Sequence, residues 1–128
     1  MMNVSLSEEI AAVQRAIAAL RAPAMPGEYD LHAMIAAALT AEGIVFAHEY
    51  RLAPRCRIDF KAGRVGIEVK KGRPDAHTLT AQLARYLASE ELDALIVVTQ
   101  RAVPVPARIA GKPVVCISLN RLWGVALP

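Results

Sequence analysis

Aromatic side chains are scarce: one Trp, three Tyr and two Phe in 128 residues. So few rings make no base-stacking platform, and sequence-specific readout of a nucleic acid is not expected. Cysteine is just as thin. Cys56 and Cys116 sit in separate apolar runs, match no metal or redox spacing, and read as reduced structural thiols. No apolar run approaches the roughly 20 residues that cross a bilayer. The start, MMNVSLSEEI, lacks the basic, apolar and cleavable parts of a secretory signal. A cytoplasmic location with no membrane contact is therefore the expectation. There is no internal repeat and no low-complexity tract. What remains is a chain 55% hydrophobic, long enough for one domain with a real core over residues 1–128.

Acidic residues are missing from one stretch in particular. From Arg51 to Arg73 there are eight basic residues and only two acids, Asp59 and Glu68, a local net charge of +6 in a chain whose total is +3. The basic charge surrounds the acidic pair, so a polyanion drawn by that field is delivered to it. The plainer alternative is a solvated basic hairpin.

Periodicity sets the elements. Ser5 and Glu8 fit a capping box, and Ile10, Val13, Ile17 and Leu20 repeat at helical spacing, which predicts an accessory helix over 5–22. Pro23 and Pro26 break the chain. A second helix is expected over Glu28–Glu42, with Leu31, Met34, Ile35, Ala38 and Leu39 on one face and Gly43 as its stop. At about 100° per residue, Glu28 falls on that inward face, in the first turn. Three short strands follow, near Ile44–Leu52, Arg57–Lys61 and Val65–Lys71. A third helix is expected from Asp75 or Thr78 to about Glu90. Asp93–Thr99 reads as a buried central strand and Pro113–Leu119 as another. The fold class is α/β, a mixed central sheet flanked by helices.

Within this frame three residues carry chemistry. Residues two apart on a strand share a face, so Glu68 and Lys70 stand together, opposite Ile67 and Val69. The hairpin through KAGR brings Asp59 beside Glu68. Two carboxylates and an ammonium on one sheet face can hold a divalent cation and orient a water against a phosphate. A simple cross-strand ion pair, worth about 0.2–1 kcal/mol, is the alternative.

Glu28 on a helix, Asp59 on a strand, Glu68-Val69-Lys70 on the next and Gln82 on the following helix together resemble the PD-(D/E)xK nuclease superfamily. Ile58 stands where many members have proline. The resemblance spans a core of residues 28–99 in the order helix, three strands, helix, strand (αβββαβ). It leaves 100–128 as a C-terminal extension. It implies a restriction-endonuclease-like fold and a metal-dependent nuclease, acting on DNA with Mg²⁺ or Mn²⁺. Asp59 and Glu68 would be metal-binding carboxylates and the Val69 carbonyl a further ligand. Lys70 would orient or activate the attacking water, and Glu28 would be a helix-borne acid near the metal. Gln82, with Tyr86 one turn later, matches the glutamine-bearing helix of resolvase-like and exonuclease-like members. Lys71 and Arg73 would contact phosphates, with Arg55, Arg57, Lys61 and Arg64 as weaker candidates. Plainer roles stand beside these: a first-turn acid favoured by the helix dipole for Glu28, a solvated position for Gln82, a core position for Tyr86. His32, His48 and His77 form no zinc spacing and are expected at surface or structural positions, although His32, four residues after Glu28, can pair with it on the helix. Such small nucleases often work as dimers, and the N-terminal helix and the Leu122-Trp123 tail offer apolar surface for a homodimer. A catalytically silent nucleic-acid-binding module and a protein-interaction adaptor are the competing functions.

Overall fold

A computed structural model describes residues 5–23 and 30–124. The first helix, α1 (Leu6–Ala18), is capped as its sequence requires: the Ser5 hydroxyl accepts the Glu8 N–H at 3.2 Å. It stops short of the expected Ala22. Beyond it the Leu20 carbonyl, outside the helical ladder, accepts the Trp123 indole N–H at 3.2 Å. The second helix, α2 (Leu31–Ala41), begins behind Asp30, whose carboxylate accepts the Ala33 N–H at 3.2 Å. The expected first turn at Glu28 lies outside the described residues.

The end of α2 explains a shift in the first strand. Gly43 takes φ +73°, the Gly43 N–H bonds Thr40 O at 3.0 Å, and the Ile44 N–H bonds Leu39 O at 2.9 Å. This paired closure satisfies the last helical carbonyls. It engages Ile44 in the helix stop, so β1 runs over Ala47–Ala53 rather than from Ile44. Next come β2 (Cys56–Ala62), β3 (Val65–Lys70), α3 (Ala76–Leu87) and β4 (Ala94–Thr99). From α2 to β4 the order is helix, three strands, helix, strand. The helix α3 is capped by Asp75, which accepts from the Thr78 N–H at 2.8 Å. It ends before the expected Glu90, where the Lys112 ammonium donates to the carbonyls of Leu87 and Ser89. A cation at that end complements the helix dipole.

The stretch after residue 99 does more than extend the core. A short β5 (Arg108–Ile109) and β6 (Lys112–Ser118) join the same sheet, and α4 (Leu119–Leu122) follows. The six strands lie in the order β1-β2-β3-β4-β6-β5. Pairing is antiparallel between β1, β2 and β3, parallel from β3 to β4 to β6, and antiparallel again at β5. The molecule is thus a mixed α/β fold with helices on both sheet faces. Val65, Ile67 and Val69 of β3 with Ala94, Ile96 and Val98 of β4 pack against α1 and α2. Leu95 and Val97 pack against Leu79, Leu83, Tyr86 and Leu87 of α3. The continuous apolar run of β4 is explained by burial on both faces. Among the described residues no helix is long and apolar enough to cross a membrane.

One irregularity positions the site. Ile58 and Phe60, two apart on β2, should share a face. Instead Ile58 packs in the α3 core and Phe60 in the core under α1 and α2. The partner strand does the same: His48 stacks on Phe60, while Tyr50 belongs to the α3 side. The pairings His48↔Phe60 and Tyr50↔Ile58 place Glu49 opposite Asp59, and Glu49 holds φ +54°. The hairpin therefore turns over at this rung, with Asp59 on the hinge between the faces.

Candidate functional site

The β2–β3 ladder runs from Ala62↔Val65 through Lys61↔Gly66 to Phe60↔Ile67. The next rung is Asp59 against Glu68, and there side chains replace the backbone bonds. The Val69 N–H donates to Asp59 Oδ2 at 2.8 Å, and the Asp59 N–H donates to Glu68 Oε1 at 3.4 Å. The two strands part at the point where the two carboxylates stand. A strand residue sends its N–H and C=O to the same neighbour, so the Val69 carbonyl also faces this gap.

Glu68 is only 2% exposed, one of two buried polar or charged residues among the described residues. Its Oε2 is 3.2 Å from Lys70 Nζ and 3.1 Å from the Tyr86 hydroxyl. That hydroxyl is also 3.2 Å from the Arg57 carbonyl and accepts from Gln82 Nε2 at 2.8 Å. Asp59, Glu68, Val69 and Lys70 are thus brought together by the sheet. Gln82 and Tyr86 join them because α3, i to i+4, places both over the even-numbered side of β3. Burial pushes the Glu68 carboxyl up to about 7; the neighbouring Asp59 charge adds to this, while Lys70 and Tyr86 oppose it. Burial, and then Glu68, raise the Tyr86 hydroxyl well above the usual phenol range, so it stays a donor. The roof of α3 makes the Glu68 face a buried one, where the bare sequence allowed a solvated ion pair.

The remaining candidates divide. Lys71 lines an open cleft of about 460 Å³ with Asp30, Leu31, His32 and Val69, next to Asp59. Arg73 follows β3 and is exposed. Arg55, at φ +61°, forms the β1–β2 turn, and Arg57 pairs loosely with Glu49 at 3.7 Å. Both lie at the end of β2 that adjoins Lys70. Lys61 and Arg64 do not reach the site: Lys61 Nζ donates to the Gly63 carbonyl at 2.8 Å, and Arg64 is held by Asp93 and the Glu90 carbonyl. Glu28 lies outside the described residues.

A histidine lies at the site that spacing did not place there. His32 Nε2 is 3.7 Å from Asp59 Oδ2, and its Nδ1 is 2.8 Å from His48 Nε2. Both rings lean on Phe60. The available signal was the position of His32 in the first turn of α2, the end of the helix that meets the strand tips. Its neighbour His48 became visible only through the turnover at Glu49.

The residues that could hold a hard divalent cation are Asp59 and Glu68, through their carboxylates, with the Val69 carbonyl as a further oxygen donor. The raised Glu68 is consistent with this, since a nearby cation would offset the two adjacent negative charges. Among the described residues no three His, Cys, Asp or Glu side chains gather into a metal-holding group. The chain would supply two carboxylates and leave other positions to main chain, water and substrate. Compared with models of protein families, with curated proteins and with solved structures, the chain matches none.

Proposed function

We propose that this chain is a divalent-metal-dependent nuclease that hydrolyses phosphodiester bonds in DNA, built on a restriction-endonuclease-like αβββαβ core. The observation that carries the proposal is the buried Glu68, held between the Asp59 rung and the Lys70 ammonium. Asp59 and Glu68 would hold Mg²⁺ or Mn²⁺, with the Val69 carbonyl beside them. When bound, the cation would polarise the phosphate and lower the pKa of a coordinated water.

The side chains have separable roles. Lys70 is 31% exposed, so its amine reaches the open side while its base stays fixed on β3. It would orient the attacking water and meet the negative charge that develops on the phosphoryl oxygens. Gln82 holds Tyr86, and Tyr86 holds Glu68 Oε2, which fixes the carboxylate before substrate arrives. The local positive charge raises the local concentration of nucleic acid.

Nicking of a supercoiled plasmid with Mg²⁺ or Mn²⁺ tests the proposal. Lys70→Ala should keep the fold and DNA binding and lose cleavage by a factor of about 100 or more. Equal nicking by the variant would remove Lys70 from the mechanism, and no nicking by the natural chain with either metal would overturn the nuclease. A silent nucleic-acid-binding module is the second reading. It is favoured by one fact: both oxygens of Glu68 already accept hydrogen bonds within the protein.

A further inference from the structure

The sheet sorts the cations by end. At the end where β3, β4 and β6 begin and β2 and β5 end, basic side chains are committed to the protein itself. Arg64 pairs with Asp93, Lys61 bonds the Gly63 carbonyl, Lys112 bonds the Leu87 and Ser89 carbonyls, and Arg108 bonds the Gly111 carbonyl. The opposite end holds the Asp59–Glu68 rung and behaves differently. Arg55, Arg73, Arg101 and Arg121 are exposed there, and among the described residues their side chains make no hydrogen bond or ion pair. The acids nearby are mostly engaged: Asp30 and Asp75 cap helices, and Glu49 faces Arg57.

These arginines come from distant parts of the sequence, and backbone bonds lace their loops together. The register Lys70↔Thr99 and Thr99↔Ser118 brings the tips of β3, β4 and β6 level. The Arg101 N–H donates to the Gly72 carbonyl at 3.2 Å, and the Gly72 N–H donates to the Gln100 side chain. The Asn120 N–H and the Ser118 hydroxyl both donate to the Gln100 carbonyl, at 3.0 and 3.2 Å. Arg73, Arg101 and Arg121 therefore sit on neighbouring segments tied together at this edge, two loops and the short α4, with Arg55 beyond the carboxylates on the other flank. From β2 to β6 is three strand spacings, roughly 14 Å, or about four nucleotide rises along one strand.

We infer that Arg101 and Arg121 extend a phosphate-binding track along this end of the sheet, carrying a nucleic-acid backbone from Arg55 across the Asp59–Glu68 rung to β6. The regular spacing of phosphates fits a row of untied guanidiniums, each able to grip one anion with two N–H groups. The track deepens the nuclease reading by naming where the substrate backbone lies. It rests on that reading only for which bond is cut.

Binding of a short fluorescein-labelled DNA duplex, followed by anisotropy in EDTA across a salt series, tests the track apart from cleavage. Arg101→Gln with Arg121→Gln should bind roughly tenfold or more weaker at about 0.1 M salt, with the log–log salt slope reduced by about 1.8, two phosphate contacts at 0.9 each. Lys61→Gln with Arg108→Gln removes the same charge at the opposite end and should leave the slope unchanged. Equal losses in both double variants would overturn the track in favour of net charge alone. So would an Arg101/Arg121 variant with the natural slope, competition by polyglutamate as strong as by DNA, or no binding by the natural chain at low salt. A chain that binds with the expected slope yet fails to cut with either Mg²⁺ or Mn²⁺ would overturn the nuclease and keep the track.

Discussion

Replacing Glu68 by glutamine should make the metal-free protein more stable at high pH. In the folded chain the carboxyl titrates near 7, against 4.5 for an ordinary glutamate. A folded-state value above the unfolded one means that the stabilisation is complete below about 4.5 and disappears as the pH rises through 7. The gap corresponds to a loss of roughly 3 kcal/mol between pH 5 and pH 8. Glutamine does not titrate, so it escapes that loss. It also costs something, because its amide nitrogen must replace one of two oxygens that now accept from the Asp59 N–H, Tyr86 and Lys70. One hydrogen bond lost is worth about 1 kcal/mol. The net expectation at pH 8 in EDTA is a gain of roughly 2 kcal/mol, or a Tm about 5–10 °C higher, turning into a small loss at pH 5. Urea unfolding followed by Trp123 fluorescence, with both proteins at each pH, measures this directly. Parallel stability–pH curves for the two proteins would refute the reasoning, because Glu68 would then be fully compensated without a cation.

Asp59→Asn should weaken Mn²⁺ binding by about 10-fold or more in calorimetry, and by removing the neighbouring charge it should also lower the Glu68 titration; an unchanged metal isotherm would count against the donor set. Tyr86→Phe removes the hydroxyl shared by Glu68, Arg57 and Gln82, and should cost about 1–2 kcal/mol of stability together with about tenfold in nicking rate; a variant with unaltered nicking would show that Glu68 needs no positioning. Gly66→Ala should destabilise by about 1–3 kcal/mol through overpacking, because a β-carbon there comes within 2.9 Å of the side-chain tips of Ile58, Leu95 and Leu92; a neutral denaturation midpoint would show that this corner of the α3 core yields.

Much of the fold was legible because local signals and tertiary demands agree. Ser5, Asp75 and Gly43 do at helix ends what such residues do in isolation, and the apolar run of β4 lies where both sheet faces are covered. The Asp59–Glu68–Lys70 constellation was legible because a tight hairpin and a two-residue strand repeat are short-range geometry. What escaped was non-local. No local signal distinguishes Lys61, tied to the β2–β3 turn, from Arg57 at the site, since both are basic residues on one strand and only the end of the sheet differs. Arg101 and Arg121 reach the same edge through parallel crossovers, which bring together residues tens of positions apart. His32 and His48 meet because the hairpin turns over at Glu49, a non-glycine residue in a conformation that its type gives no reason to expect.

That turnover at Glu49 also bears on how kindred chains are to be found. The left-handed conformation costs an ordinary residue roughly 1–2 kcal/mol, and the strain sits ten positions ahead of Asp59, on the facing strand. Chains descended from the same hairpin should relieve it where they can, with Gly, Asn or Asp at that spot. A turn-tolerant residue, ten steps, an aspartate, nine more, and then a glutamate-x-lysine triplet is a longer and rarer fingerprint than the acid–lysine motif alone.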